Sequence, residues 1–493
     1  MVSYATSVSL CLSALGFLEI YSNAPTTKGQ WRNRVLEIKE HTSTRLTAAL
    51  VGLLRGFTIN TLEINSEEGR NLVRLLNQDG LAERRIIEHF NDRMETVRGR
   101  LSEARMGVAR AEELDNPNLL FEVGWTWGIA SDAPKIALDV PGTEIGVQGD
   151  GVALSAPYLY YTVLALDAIE QLTSDRTRVL GLLNPQQERL ANNLDVRRNL
   201  TQLYYSQLGR FDSGVGGRWP IEDLPWRTPD GNESDYWTLL ICAVLIQDLR
   251  DRTGTGSEDI VRRIEPVITE LANRARMTRR PLRQDPAISL HFPGLLNGLD
   301  GAELLGPPMG LRINDFAPLL LKRSHQLASL TNSAEVRDRM LSLSTEIWNH
   351  LLGRQIADVG AAGLWDDPAR AFPDVGEHHV RPSWNMTFSV VDALVTAANT
   401  QVQRQTKAPI LSQIATAMVS EAEYLLNQQL MITPSLNSGL QSSLQEIRDS
   451  VLRAKRLIED QPSTAIALCV NAVTQLDKNA LARQDVGGQS QGL

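Results

Sequence analysis

The chain has 493 residues and a net charge of −9, from 49 Lys+Arg against 58 Asp+Glu. That length gives room for about two or three domains and a large core. Its 42% apolar and 22% charged composition is that of a globular, water-soluble protein, and the acidic balance argues against a general binder of nucleic acid or anionic membrane, which needs clustered Lys and Arg.

In chain order, apolar residues at i, i+3, i+4, i+7 spacing predict helices over 2–21, 31–57, 69–111, 157–173, 185–208, 234–252, 257–277, 314–330, 334–353, 382–400 and 410–428. The first has the length of a signal-peptide core. However, no Lys or Arg precedes Lys28, Glu19 interrupts the apolar run and Pro25 follows the only plausible cleavage site, so a core helix and a cytoplasmic protein are expected. No other run is long and apolar enough to suggest a membrane span. Alternating patterns mark only 58–64 and 135–147 as short strands. Gly and Pro stop the helices at 131–157, 209–233, 281–312 and 359–382. The fold class expected is all-α or nearly so.

The tryptophans suggest a repeat. Gly217-Arg218-Trp219 precedes Trp237 at the head of an apolar helix, and Gly363-Leu364-Trp365 precedes Trp384 in the same way. Gly124-Trp125-Thr126-Trp127 leads by a longer connection into Tyr158, Tyr160 and Tyr161, and residues 3–18 resemble the helical half of the unit. Irregular helical-hairpin repeats of this kind imply an α/α-toroid-like or α-solenoid domain over 1–400. Loops shorten beyond it, so 401–482 reads as a small C-terminal module of helical hairpins, with Ser463 as an N-cap. The Gly/Gln-rich tail 483–493 reads as disordered.

Two loops concentrate chemistry. Residues 216–237 hold Trp219, Trp226 and Trp237 with Glu222, Asp223, Asp230, Glu233, Asp235, Arg218 and Arg227. Rings that stack and acids that orient make a surface for a polar ligand, although the same tryptophans could simply wedge a loop onto helix ends. Residues 363–384 hold Trp365, Asp366, Asp367, Asp374, Glu377, His378, His379 and Trp384. Adjacent histidines diverge and no HxH or HxxxH spacing is present, so no metal and no cofactor are expected. If the two loops met at one mouth, Glu222, Asp223, Asp230, Asp235, Asp366 and Asp367 would be the candidate acids. Trp219, Trp226, Trp237, Trp365, Trp384 and Arg227 would be the ligand-binding side chains. GxxxxGK[ST] and GxGxxG are absent, no GxSxG elbow stands between a strand and a helix, and Asp366-Asp367-Pro368-Ala369-Arg370 breaks the DDxxD pattern with an arginine. A basic stretch carries Arg262, Arg263, Arg274, Arg276, Arg279, Arg280 and Arg283, but Glu258, Asp259, Glu265 and Glu270 accompany it. A salt-bridged face is expected there, and nucleic-acid binding is not.

The segments SVSLCLSALGFL, RLTAALVGLLRGFTIN, LDNPNLLFEVGWTWG, APYLYYTVLALDAI and RWPIEDLPWRTPDGNESDYW, with LWDDP and PSW, together resemble an uncharacterised family of actinobacterial proteins over residues 2–400. The resemblance implies a conserved gene cluster shared with a variant P-loop protein and a predicted SAM-dependent methyltransferase, hence protein partners from that cluster. It implies no activity and no site residue. Several members carry an extra N-terminal segment ahead of Ser3, so the native start is an open question. The expected function is a helical scaffold or interaction component of a multi-protein system. The alternative is an α/α-toroid enzyme acting on a carbohydrate or isoprenoid-type substrate through carboxylates in a Trp-lined mouth.

Overall fold

Helix-forming periodicity governs almost every ordered stretch of the computed structural model, which describes residues 1–22, 29–103, 111–114, 116–138, 145–212, 217–251, 257–279, 285–358, 360–372, 375, 380–403, 409–432, 438–458 and 462–488. The helices are α1 (Val2–Ser22), α2 (Gly29–Gly56), α3 (Glu67–Leu76), α4 (Glu83–Glu103), α5 (Ala111–Leu114), α6 (Leu159–Leu172), α7 (Asp175–Val179), α8 (Pro185–Gly209), α9 (Asp235–Asp251), α10 (Ser257–Arg274), α11 (Phe316–Leu330), α12 (Ala334–Gly353), α13 (Pro368–Ala371), α14 (Trp384–Gln403), α15 (Pro409–Ile432), α16 (Ser438–Leu457) and α17 (Pro462–Gly488). Three small antiparallel ladders accompany them: β1 (Phe57–Glu63) with β2 (Leu119–Trp125), β3 (Trp226–Arg227) with β4 (Glu233–Ser234), and β5 (Leu295–Gly298) with β6 (Gly310–Ile313). The fold is nearly all-α.

Local chemistry explains where elements begin and stop. Asn184 and Gln187 form a reciprocal capping box at the start of α8, with Pro185 at its first position. Ser66 and Ser333 cap α3 and α12. The single helix expected over 69–111 is divided, because Asn77 ends α3 and its side chain both donates to the Leu81 carbonyl and accepts from the Leu81 N–H, at 2.8 Å each. Gly80 takes a φ of +67° within that turn. Residues 119–125, where no strand was expected, form β2 and pair with β1 in the register Phe57↔Trp125 to Glu63↔Leu119. Among the described residues of 135–147 there is no strand. α17 opens at Pro462, one residue before Ser463, and runs to Gly488, through residues expected to be disordered.

Contacts divide the chain into Met1–Leu394 and Val395–Leu493. The second unit begins within α14 and holds α15, α16 and α17 around their own core of Ala415, Val419, Ile447, Val451, Cys469 and Ala472. Alanines along that seam let the backbones approach closely.

In the first unit α1 packs on α6, α6 on α9 and α9 on α11, with α2, α8, α10 and α12 packed against this row. Side-chain contacts fix the direction of the helices. Tyr160 of α6, Tyr236 of α9, Asp315 just before α11 and Asn385 and Ser389 of α14 gather in one layer. Farther along the same helices, Asp167, Gln247, Lys322 with Arg323, and Asp392 gather in another. Tyr160 to Asp167, Asp315 to Lys322 and Asn385 to Asp392 are each a seven-residue step, about 10 Å of helix. The four helices therefore run parallel, with their N-terminal ends at the same level. Among the described residues only α1 is long and apolar enough to cross a membrane, and its Val8, Leu12 and Leu15 are buried in the core of this unit.

Candidate functional site

One arrangement occurs three times at the N-terminal ends of the parallel helices. The backbone N–H groups of Trp125, Trp226 and Trp365 donate to the hydroxyls of Thr162, Thr238 and Thr387, at 2.9, 2.8 and 3.2 Å. Each threonine is the fourth residue of its helix, α6, α9 and α14 respectively. The residue before each helix runs back along the tryptophan: Tyr158 donates to the Trp125 carbonyl, Ser234 pairs with Trp226, and Ser383 donates to the Trp365 carbonyl. Trp125 and Trp365 also send their indole N–H to Leu53 and Leu351, both at 2.8 Å. Those carbonyls lie in the last turns of α2 and α12, and that of Leu351 also accepts the Arg354 N–H at 3.0 Å. Gly124 is required by this packing, since a Cβ there would collide with Thr162. In this register the counterpart of Trp365 is Trp226, whereas sequence spacing pairs Trp365 with Trp219.

The level of these helix starts is polar. Asp315 is buried and accepts a hydrogen bond from the Tyr236 hydroxyl at 2.5 Å. Burial pushes its carboxyl above the usual range, and the Tyr236 and Ser389 hydroxyls only partly oppose this. The neighbouring Asn314 donates to Asp366 at 3.1 Å, and Asp366 is also gripped by Arg354 through Nε and Nη2 at 3.1 and 2.8 Å. Arg354 in turn reaches the His291 carbonyl. His291 donates from Nε2 to Ala275 and stacks near His350 and Phe372. Burial, then the Arg354 charge, lowers its pKa to about 3, so the ring is neutral. One layer deeper, Asp167 accepts two hydrogen bonds from Arg323 and one from Lys322, which also holds Asp392. Two acids and two cations balance there. Burial opposes the Asp167 charge, but the paired cations hold its carboxyl far below the usual range.

The predicted site residues are mostly engaged by the fold itself. Glu222 accepts both Arg263 Nε and Nη2, at 2.5 and 2.6 Å, while the same guanidinium lies 3.7 Å from the Trp219 ring centroid. Burial alone would raise the Glu222 pKa, but the Arg263 hydrogen bonds hold it below the usual range. Asp235 accepts Arg274 Nε on both oxygens at 2.9 Å. Asp223 faces Arg218 at 3.5 Å, and Arg227 pairs with Glu233 across the β3–β4 ladder. Asp230 is held by Thr228 and Asn232 within its own turn. Asp367 donates its N–H to the Arg354 carbonyl. Trp226, Trp237 and Trp365 are core residues and Trp219 is half-buried, whereas Trp384 keeps 66% of its surface exposed beside Phe388. Asp374, Glu377, His378, His379, Arg280 and Arg283 lie outside the described residues. The structure brings Tyr236 of the first loop and Asp366 of the second to the adjacent residues Asn314 and Asp315. Glu222, Asp223 and Asp230 take no part in that junction.

Sequence reading missed Asp315, although Asp315-Phe316 before an apolar helix repeats the Asp235-Tyr236 pattern with Phe in place of Tyr. It also missed Glu122, paired in register with Asn60 on β1. Burial, then the negative charge of Asp230, pushes the Glu122 carboxyl up to about 8. The turn that carries Asp230 is docked by Asn71, whose Nδ2 donates to the Pro229 carbonyl at 2.9 Å. Among the described residues no group of three or more His, Cys, Asp or Glu is placed to hold a metal ion.

A family model described as SCO2524-like matches residues 1–487, and the chain belongs to that family. No curated protein and no solved structure matches it.

Proposed function

We propose that this SCO2524-like chain is a helical interaction component of a multi-protein bacterial system, cytoplasmic, with partners encoded in its own gene cluster. The supporting observation is α14. Its Met386, Val390 and Ala393 are buried, while Trp384, Val391 and Leu394 stay exposed on another side. Exposed large apolar residues at helical spacing, led by a tryptophan, have the composition of a protein-binding anchor. The acids that an enzyme would need are meanwhile tied to Arg263, Arg274 and Arg354. The test is co-expression with the cluster proteins. The wild-type chain should co-purify with at least one of them, and the Trp384→Asp/Val391→Asp chain should lose it while melting at an unchanged temperature. A chain recovered alone, or a double variant that keeps its partner, counts against this reading.

A second reading, an α/α-toroid enzyme for a carbohydrate or isoprenoid-type substrate, has Asp315 in its favour. A carboxyl with a raised pKa between tyrosines, at the positive ends of parallel helices, suits proton transfer. That reading requires Asp315→Asn to abolish a turnover that Glu222→Gln leaves intact.

A further inference from the structure

We infer that the cleft at the C-terminal end of α10 binds a small molecule bearing a phosphate or carboxylate group on an apolar body. The cleft encloses about 460 Å³, within the range of small-ligand sites. Arg274, Arg276 and Arg279 line it, with Pro225, Pro286 and Leu290 as apolar wall.

The arginines are held in an unusual way. Arg274 donates only its Nε to Asp235, and Arg276 donates only its Nε to Asp285, at 2.6 Å. Each carboxylate therefore fixes a guanidinium plane from its inner edge. The two terminal Nη groups of each arginine have no hydrogen-bond partner among the described residues, and neither side chain is fully buried. Paired Nη groups are the edge that recognises a planar carboxylate or a phosphate with two parallel hydrogen bonds. Arg276 reaches this position from a left-handed backbone, φ +57°, and is the only described non-glycine residue with positive φ. Arg279 is exposed on the same wall and makes no ion pair among the described residues.

Asp235, Asp285 and Glu270 offset the three arginines in formal charge. Attraction must then come from directed hydrogen bonds, and not from a net positive field. A bare ion would bind weakly, and an anion with an apolar body gains the contact with Pro225, Pro286 and Leu290. This inference is independent of the partner reading above.

Calorimetric titration of the full chain with phenyl phosphate, benzoate and inorganic phosphate tests it. At least one aryl anion should bind saturably, with Kd of about 10–1000 µM and more tightly than inorganic phosphate. The tighter of the two aryl anions identifies the group recognised. Arg279→Gln breaks no ion pair among the described residues and should weaken binding at least tenfold with an unchanged melt. Arg84→Gln, on α4 and paired with Glu88, should leave binding unchanged. No saturable binding of either aryl anion up to about 10 mM overturns the proposal, as does equal weakening by Arg84→Gln or undiminished binding by Arg279→Gln.

Discussion

Burial decides the state of single side chains here more than net charge does. Glu122 is the clearest case, because burial and the surrounding negative charges push in one direction and only the Asn60 hydrogen bond opposes them. Glu68 of α3 and Asp230 of the β3–β4 turn are anionic, Tyr204 and Tyr205 of α8 are neutral and buried, and only Asn60 offers a hydrogen bond. With the folded pKa near 8 against an ordinary carboxyl value of 4.5, the folded chain holds a proton that the unfolded chain has released between those limits. Stability from this group is complete below the unfolded value and is lost as pH rises through the folded one. Glu122→Gln should therefore be neutral near pH 4.5 and stabilising at pH 8, by on the order of 1–3 kcal/mol. Urea unfolding followed by tryptophan fluorescence at both pH values checks this, and a difference that does not grow with pH would refute it. None of these neighbours of Glu122 in space is near it in sequence, so no local pattern could have revealed this group.

Elements are joined by a small set of repeated contacts whose energetic weight can be measured. The N–H groups of Trp125, Trp226 and Trp365 lie where the chain turns into a helix, and three threonine hydroxyls satisfy them. A buried donor without its acceptor costs about 1–3 kcal/mol. Thr162→Val, Thr238→Val and Thr387→Val keep shape and remove only the hydroxyl, so each should destabilise the first unit by about that amount. The corresponding Thr→Ser variants should recover most of it. Thermal melts of the six variants suffice, and valine variants as stable as wild type would show that these bonds do not hold the junctions. The helices themselves were legible: α8, α9, α11 and α12 begin and end within about two residues of their periodicity, as cap chemistry allows. The junctions were only half legible. Trp and Gly marked that a unit recurs, but the register that places Trp226 with Trp365 depends on which N–H meets which threonine. Those partners lie 12 to 37 residues away across loops of unequal length.

At the scale of the whole chain, the sequence pattern identifies helices and misses β2, because Leu119–Trp125 is apolar on both faces and alternates weakly. It locates loops rich in Trp and acid but not their fate, since an arginine on a distant helix can neutralise any of them. Tryptophan ends at residue 384. All nine tryptophans lie in Met1–Leu394, so their fluorescence reports on the first unit alone. The core of Val395–Leu493 is built from its own three helices, which predicts that the two units melt separately. Ile447 is fully buried in the second core, and Ile447→Asp leaves an unpaired charge there, a cost of several kcal/mol that exceeds what a small helical unit can absorb. Circular dichroism should then lose the helical signal of α15 to α17, while the tryptophan transition stays at its wild-type temperature. Leu166→Asp, in the first core, should do the converse. If Ile447→Asp instead lowers the tryptophan transition by more than a few degrees, or the wild-type chain melts in one calorimetric step of matching van't Hoff enthalpy, the units share one cooperative core.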